Sequence, residues 1–253
     1  LRDEGEDCVL GTLLSKDDTV EGKVIFRRSI GELDKWIIET FKNCSTTQLP
    51  NYSTAQLLHH SISRAYQRNE TVRLKLESGE IILEPIIGNP SLIIFGGGHV
   101  SKFVSQTASM AGFRVTVVDD REKYANTLRF PEAVQTIVSD FTSVFDNLKI
   151  TKSTYIVIVT RGHNYDEIVL EQAVKTPAKY IGMIGSKRKV LTTYEHLRER
   201  GVTDEILKWV HAPIGLDIDA VTAEEIAVSI VAELVRVRRG ENQTLRSMSE
   251  SMK

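Results

Sequence analysis

Leu92-Ile93-Ile94-Phe95-Gly96-Gly97-Gly98-His99-Val100-Ser101 is the stretch that decides the fold class of this chain. Its first part is an apolar run typical of a buried β-strand, and three glycines follow the run directly. Beyond the glycines, Val100 to Met110 has the spacing of a helix, and Gly112 is placed to end it. A strand, a glycine loop and a helix in this order are typical of the first unit of a Rossmann-type sheet, whose loop approaches a phosphate.

The same alternation of strand and helix continues toward the C-terminus. The predicted elements are strands at 115–118, 155–159 and 180–184 and helices at 165–174, 187–200 and 222–240. Because these strands are nearly continuous apolar runs, they belong in a parallel sheet that helices cover on both faces. We therefore predict an α/β fold with a Rossmann-like parallel sheet, and the capping box Thr222 to Glu225 starts its last helix.

Residues 1–90 have a different pattern, which predicts a smaller α+β domain. The spacing of Leu33, Trp36, Ile37 and Phe41 predicts one helix, and Ser53 with Gln56 forms a capping box that predicts the start of a second. Predicted strands lie at 9–14, 72–77 and 81–87. The turn cluster Gly88-Asn89-Pro90 is the predicted boundary, so we expect an N-terminal domain at 1–90 and a Rossmann-like domain at 91–253.

Composition and charge exclude several classes of protein. The 253 residues include 32 Lys and Arg and 34 Asp and Glu, so that the formal net charge is −2 and nothing indicates a nucleic-acid partner. No apolar run reaches the roughly 18 residues of a membrane span. Two cysteines do not make a disulfide framework or a metal site, and the charged first residues do not resemble a signal peptide. We therefore expect a cytoplasmic protein without a membrane segment.

The glycine loop supplies the first candidate binding residues. In the predicted setting Gly96, Gly97 and Gly98 let the backbone approach a phosphate, and the helix start offers N–H groups to it. His99 follows the glycines and either contacts the ligand, acts as an acid or base, or lies at the surface. Asp119 ends the second strand, where a carboxylate commonly accepts hydrogen bonds from a ribose. The alternative for the loop is a tight turn that serves packing alone.

Two further loops are predicted at the same edge of the sheet. The loop after the third predicted strand contains His163, which we expect to face the crevice, and Asp166, for which helix capping is the alternative. The stretch Gly185-Ser186-Lys187-Arg188 follows the fourth strand and opens a helix, and its Gly-Ser turn with two cations forms a candidate second anion site. The alternative there is a solvated run of charges. We assign no catalytic residue and no metal ligand.

Several motifs together resemble the xanthine dehydrogenase accessory protein family, also called the XdhC/CoxI family. The resemblance runs in order from about Leu92 to Glu233, which makes it specific. It rests on the motifs at 94–100, 117–121, 129–131, 180–186 and 211–218, and on the helix residues 224–233.

The resemblance implies a function as well as a fold. Members of the family bind the molybdenum cofactor, protect it, support its sulfuration and insert it into apo xanthine dehydrogenase or a related molybdenum hydroxylase. It further implies a homodimer, a cysteine desulfurase as a further partner, and an accessory protein rather than an enzyme. On this resemblance Arg121 joins the candidate binding residues, and Asp119 and His163 read the pterin ring.

The chain departs from the family pattern at two places. The N-terminal motif Gly-Gly-Cys-Leu-Glu is absent from the sequence, and Thr160-Arg161-Gly162 stands where the family has Thr-His-Asp. An NAD(P)-dependent oxidoreductase that uses the same crevice is the alternative function, with Asp119 favouring NAD over NADP. A regulatory nucleotide-binding module without chemistry is a third hypothesis.

Overall fold

The computed structural model describes residues 8–28, 36–40, 52–68, 70–76, 79–86 and 88–239. The chain divides into two compact units, Leu1–Asn89 and Pro90–Lys253. The division lies in the turn cluster Gly88-Asn89-Pro90. Among the described residues, none of the helices combines the length and the apolar character that crossing a bilayer requires.

The first unit is an antiparallel sheet with one described helix. Its elements are β1 (Cys8–Ser15), β2 (Val20–Arg28), β3 (Trp36–Thr40), α1 (Tyr52–Arg68), β4 (Val72–Lys75) and β5 (Gly79–Ile86). The strand order is β3-β2-β1-β5-β4. Apolar side chains of the sheet, such as Val9 and Leu83, pack with Leu58 and Ile62 of α1 in a shared core. This arrangement confirms the predicted α+β class of the N-terminal region.

The helix predicted from Leu33, Trp36, Ile37 and Phe41 is wrong where the structure describes it. Residues Trp36–Thr40 form β3, which pairs antiparallel with β2 so that Trp36 lies opposite Arg28. Aromatic and β-branched residues favour strands once a neighbouring strand supplies backbone partners, and apolar spacing does not report that tertiary gain. Leu33 and Phe41 lie outside the described residues.

The second unit contains the predicted strand–helix alternation. Its elements are β6 (Ser91–Phe95), α2 (His99–Met110), β7 (Arg114–Asp119), β8 (Gln135–Val138), a 3₁₀ helix (Ser143–Asn147), β9 (Tyr155–Ile158), α3 (His163–Ala173), β10 (Tyr180–Met183), α4 (Lys187–Glu199), α5 (Asp204–Leu207), β11 (Val210–His211) and α6 (Ala223–Arg239). The predicted capping box of α6 is confirmed, because Thr222 Oγ1 accepts from the Glu225 N–H at 3.2 Å and Glu225 Oε2 accepts from the Thr222 N–H at 2.9 Å.

Six strands of this unit form a parallel sheet in the order β11-β10-β9-β6-β7-β8. The chain starts at the central β6, builds outward to β8, and then crosses back to β9 on the other side of β6. The switch of direction lies between β6 and β9. In open parallel sheets ligands bind outside the carboxyl ends of the strands at such a switch point.

Helices cover both faces of this sheet. On one face Ile94, Val117 and Val157 pack with residues of α2 and α6, including Val104 and Leu234. On the other face Phe95, Ile156 and Ile158 pack with residues of α3 and α4, including Leu170 and Leu197. Because adjacent residues of one strand are buried on opposite faces, the strands read as continuous apolar runs. The predicted Rossmann-like class is confirmed.

Candidate functional site

Close backbone packing requires the first two glycines of the loop after β6. Gly96 has φ +102°, and a Cβ atom there would lie 2.4 Å from the Val159 carbonyl oxygen. A Cβ atom on Gly97 would lie 2.2 Å from the carbonyl oxygen of Tyr124. A side chain at either position would therefore displace the backbone of a neighbouring loop.

Gly98 differs from its two neighbours, because a Cβ atom there would have no atom of the described residues within 4 Å. It is the N-cap residue of α2, with φ −70° and ψ −162°. Since glycine has no side chain to cap the helix, the first N–H groups of α2 are left to solvent or to a ligand. The open side of the loop therefore lies at Gly98 and at the start of α2.

Asp119 fixes the loop from the end of β7. Its buried carboxylate accepts from the Gly97 N–H at 2.8 Å, the Arg121 N–H at 3.1 Å, and Arg121 Nε and Nη2 at 2.9 and 3.1 Å. Burial acts to raise the pKa of Asp119, but the hydrogen bonds from Arg121 and Gly97 outweigh it and hold that pKa below its usual range. A carboxylate has about four acceptor positions, so these hydrogen bonds occupy the acceptor positions of Asp119.

Arg129 also holds the loop, through two of its carbonyl groups. Its Nε donates to the Gly97 carbonyl at 2.8 Å and its Nη2 donates to the Gly98 carbonyl at 3.0 Å. The ring of Tyr124 lies beside both arginines, with its centroid 3.8 Å from Arg121 Cζ and 5.5 Å from Arg129 Cζ. Arg129 was not among the predicted binding residues. It binds the loop carbonyls of Gly97 and Gly98, while the Gly97 N–H is bound by Asp119.

The first turn of α2 contains His99 and Ser101. The His99 side chain is exposed and lies edge-on to Phe103, with ring centroids 5.2 Å apart. Ser101 is fully buried, as close packing of the helix start requires, and its Oγ has no hydrogen-bond partner among the residues that the structure describes. The start of α2 therefore carries an exposed imidazole.

An ion pair joins the loops that follow β7 and β9. Arg161 Nη1 and Nη2 donate to the two oxygens of Asp120 at 3.0 and 2.7 Å, and Nη2 also donates to Tyr165 Oη at 2.9 Å. Arg121 Nε lies 3.4 Å from Asp120 Oδ1. The pKa values of both arginines are raised, that of Arg161 chiefly by Tyr165 and that of Arg121 chiefly by Asp119. Two guanidinium groups thus lie at the predicted crevice.

The loop after β9 is held from within the protein by Asp166. This buried carboxylate accepts from the Thr160 N–H at 3.0 Å, from Thr160 Oγ1 at 2.6 Å, and from Lys189 Nζ. Lys189 Nζ also donates to the Ile184 carbonyl at 3.2 Å. Asp166 is therefore not the N-cap of α3, a position that Gly162 takes. The side chain of His163 lies outside the described residues, so the prediction for it remains open.

The predicted second anion site is organised by protein contacts. Ser186 is the N-cap of α4, and its Oγ accepts from the Lys189 N–H at 3.3 Å. A Cβ atom on Gly185 would lie 2.8 Å from Cδ of Lys189. Both residues follow β10, which is separated from β6 by β9. Gly185 and Ser186 thus follow a strand that is not adjacent to β6, and they shape the start of α4.

A buried carboxylate network that sequence reasoning missed lies at the β10–β11 side of the sheet. Glu233 of α6 accepts from Tyr180 Oη at 2.7 Å and from the Gly215 N–H at 2.8 Å, and its Oε1 lies 3.0 Å from His211 Nδ1. Burial acts to raise the pKa of Glu233, yet His211, Tyr180 and Gly215 hold it below its usual range. Burial and the adjacent Glu233 raise the pKa of Tyr180. The motif at 211–218 is therefore fixed to α6.

The sequence-predicted residues thus fall into two groups. Gly96, Gly97, Gly98, His99, Asp119 and Arg121 come together around the loop between β6 and α2. Gly185 and Ser186 lie two strands away from β6. No group of three or more His, Cys, Asp or Glu side chains in the described part of the chain is arranged to bind a metal ion.

The family model of the XdhC Rossmann domain matches residues 92–234, which is more than half of the chain. The chain belongs to the XdhC Rossmann domain family. The matched segment begins in β6 and ends within α6, so it contains the glycine loop, both arginine contacts of that loop and the Glu233 network. The family resemblance seen in the sequence is confirmed.

Two curated proteins are similar to this XdhC-family chain. It is 33% identical over 150 residues to “Uncharacterized protein YqeB” of Escherichia coli (strain K12), a match that covers 59% of this chain and 27% of that protein. It is 28% identical over 165 residues to a protein of Bacillus subtilis (strain 168) that is named as a probable xanthine dehydrogenase subunit, and this match covers 64% of this chain and 47% of that protein. The chain therefore spans about a quarter of the length of the Escherichia coli protein and about half of the length of the Bacillus subtilis protein.

A solved structure has the same fold. The chain superposes on a crystal structure described as a xanthine dehydrogenase from Bacillus halodurans, with a TM-score of 0.65 and 23% identity. The match covers 99% of this chain and 65% of that one. At this identity the likeness shows the fold.

Proposed function

We propose that this chain is an accessory factor of a xanthine dehydrogenase system, which binds the molybdenum cofactor as cargo at the loop Gly96–His99 and inserts it into a molybdenum hydroxylase. The proposal rests on one observation, the open space beside Gly98 at the uncapped start of α2, in a loop held in place by Asp119 and Arg129. Family membership and the name of the Bacillus subtilis relative support the link to xanthine dehydrogenase.

The loop suits the phosphate of molybdopterin. Free N–H groups at a helix start and the positive end of the helix dipole attract a phosphate without the specificity of a deep pocket. A carrier has to release what it binds. A site formed largely by backbone groups at the carboxyl end of the strands is accessible for release. Arg121 lies beside this loop and is paired with Asp119 and Asp120.

The contacts of Asp119 argue against the NAD(P) alternative. In dinucleotide-binding sheets the acidic residue at the end of the second strand accepts hydrogen bonds from the ribose hydroxyl groups. Here that carboxylate already accepts from the Gly97 N–H and from three Arg121 donors. A ribose would have to displace Arg121 or Gly97 from this carboxylate, and displacing Gly97 would remove part of the loop's support.

The proposal extends to sulfuration and to partners. The cargo would be sulfurated while bound, with a cysteine desulfurase as the source of sulfur, and then transferred to apo xanthine dehydrogenase or a related hydroxylase. A homodimer is part of the same proposal. Transfer is tested by mixing the loaded chain with an apo hydroxylase and following the appearance of hydroxylase activity.

The direct test of the binding site is Gly98→Asp. A Cβ atom at Gly98 meets open space and the backbone has N-cap geometry, so an aspartate is expected to cap α2 without loss of stability. The same carboxylate would occupy the phosphate position and repel the anion, so the affinity for molybdenum cofactor is expected to fall at least about 100-fold, near the 3 kcal/mol scale of a lost charged contact.

Gly98→Ser is the matched control, because it adds bulk and a cap without charge. NAD and NADP are titrated in parallel with molybdenum cofactor. Unchanged cofactor affinity in Gly98→Asp would remove the loop from the binding site, and tight dinucleotide binding without cofactor binding would favour the oxidoreductase alternative.

A further inference from the structure

The ion pair between Arg161 and Asp120 spans the carboxyl end of β6. Arg161 follows β9 and Asp120 follows β7, and the strand order places β6 between these two strands. The bidentate contact, at 3.0 and 2.7 Å, therefore lies across the point where Gly96 leads into the glycine loop. Arg161 and Asp120 are 41 positions apart, so their contact leaves no spacing pattern in the sequence.

We propose that Arg161 is a phosphate-binding residue of the glycine-loop site and that Asp120 competes with the bound anion for its guanidinium group. The inference rests on the proposed binding of a phosphate-bearing ligand at this loop. A guanidinium group with two parallel donors matches a phosphate as well as it matches a carboxylate. The ligand class is thus a phosphate monoester or diphosphate.

The contacts around the pair allow Arg161 to leave Asp120 for a bound anion at a small cost in free energy. The side chains of Arg161 and Asp120 are 36% and 24% exposed, so water reaches the pair and its net contribution is small. When Arg161 turns to an anion, Asp120 keeps Arg121 Nε as a cation partner at 3.4 Å. Arg161 remains guided by Tyr165, whose ring centroid lies 4.6 Å from its Cζ.

The test is a double-mutant cycle of Arg161→Met and Asp120→Asn, with pyrophosphate as the probe in titration calorimetry on the full chain. Arg161→Met is expected to weaken pyrophosphate binding about 10-fold or more, because a charge-assisted contact is lost. Asp120→Asn is expected to strengthen it about two- to fivefold, because the competing pair is removed. The strengthening should disappear in the Arg161→Met background.

The cycle separates exchange from a general charge effect. If Asp120→Asn strengthens binding equally with and without Arg161, only the loss of a negative charge matters and the exchange is overturned. Unchanged affinity in both single variants, or no binding of pyrophosphate to the unmodified chain, also overturns it. The exposed pair Arg198–Asp204, at the far end of α4 from Ser186, provides matched control variants that should leave affinity unchanged.

A parallel titration with molybdenum cofactor distinguishes this inference from the proposed function. If pyrophosphate follows the expected cycle while molybdenum cofactor does not bind, the anion site stands and the proposed cargo is wrong. If molybdenum cofactor binds and none of the variants changes its affinity or that of pyrophosphate, the proposed function stands and Arg161 has no part in it.

Discussion

The Asp119 carboxylate accepts the Gly97 N–H at 2.8 Å, so a buried residue at the end of β7 holds the loop that follows β6. Asp119→Asn replaces one acceptor oxygen with an NH₂ group that faces either Gly97 or Arg121. Because a hydrogen bond to a charged group is worth about 1.5–3 kcal/mol, we expect the free energy of unfolding to fall by about 2 kcal/mol. Urea unfolding at pH 7 measures this, with Glu122→Gln at an exposed position as control.

The contribution of Asp119 to the free energy of unfolding also depends on pH. The direction of this dependence follows from the lowered pKa of Asp119. In the unfolded chain the carboxyl protonates near its ordinary pKa of about 3.9, whereas in the folded chain it stays ionised to lower pH. Its contribution is therefore complete above about pH 4 and is lost as pH falls through the folded pKa. The stability difference between wild type and Asp119→Asn should shrink below pH 4. A constant difference down to pH 2 would contradict this account.

Neighbouring glycines of the loop should respond differently to the same substitution. Gly97→Ser places a Cβ atom 2.2 Å from the Tyr124 carbonyl oxygen, so the Tyr124 segment has to move and stability should fall by about 2 kcal/mol or more. Gly98→Ser meets open space in N-cap geometry and should keep the melting temperature or raise it. Thermal unfolding of both variants checks the pair, and equal losses would show that Gly98 is packed as tightly as Gly97.

The sequence predicted the parts of the fold that local pattern determines. The run 92–95 with its glycines indicated β6, the loop and the start of α2 because a buried parallel strand is apolar on both faces. The edge strands β8 and β11 were missed, since β8 is half polar and β11 has two residues. Their pairing comes from the neighbouring strands β7 and β10, and a sequence pattern carries no record of it.

In the candidate site, too, the sequence predicted what is local and missed the contacts between distant positions. The glycines and Asp119 were predicted as binding residues because their spacing along a strand–loop–helix unit is local, and their part in binding stays a prediction. Arg129 lies 32 positions from Gly97, and Glu233 lies 53 positions from Tyr180, so neither contact leaves a spacing signal. The Asp119 carboxylate accepts hydrogen bonds from Gly97 and Arg121, and its position at the end of a strand does not by itself indicate these protein donors.

The buried pair of Lys189 and Asp166 gives a further prediction. Their side chains are 12% and 0% exposed, and Asp166 also holds Thr160. Lys189→Met leaves an uncompensated buried carboxylate, so stability should fall by about 3 kcal/mol or more at pH 7.

A double variant tests whether Lys189 and Asp166 act as a pair. Adding Asp166→Asn to Lys189→Met removes the buried charge and keeps an oxygen for the Thr160 N–H, so the double variant should recover part of the loss. Urea unfolding of the single and double variants measures the coupling. Strictly additive losses would show that the two side chains do not act as a pair.

The Glu233 network determines how firmly the loop after β11 is fixed to α6. Glu233→Gln turns one acceptor into a donor that faces Tyr180, Gly215 or His211, so stability should fall by about 2 kcal/mol at pH 7. Because the pKa of Glu233 is lowered, this contribution is present above the unfolded pKa of about 4.3 and is lost as pH falls further.

Tyr180→Phe removes only one donor to that carboxylate and should cost about 1 kcal/mol. In Glu233→Gln the tyrosine hydroxyl has already lost its ionised acceptor, so the cost of Tyr180→Phe should be smaller there. Unfolding of the four chains by urea at pH 7 gives the coupling energy. A coupling near zero would mean that packing alone holds the loop at 211–218. A positive coupling would assign that task to the shared carboxylate, which then connects β10, β11 and α6 at one point.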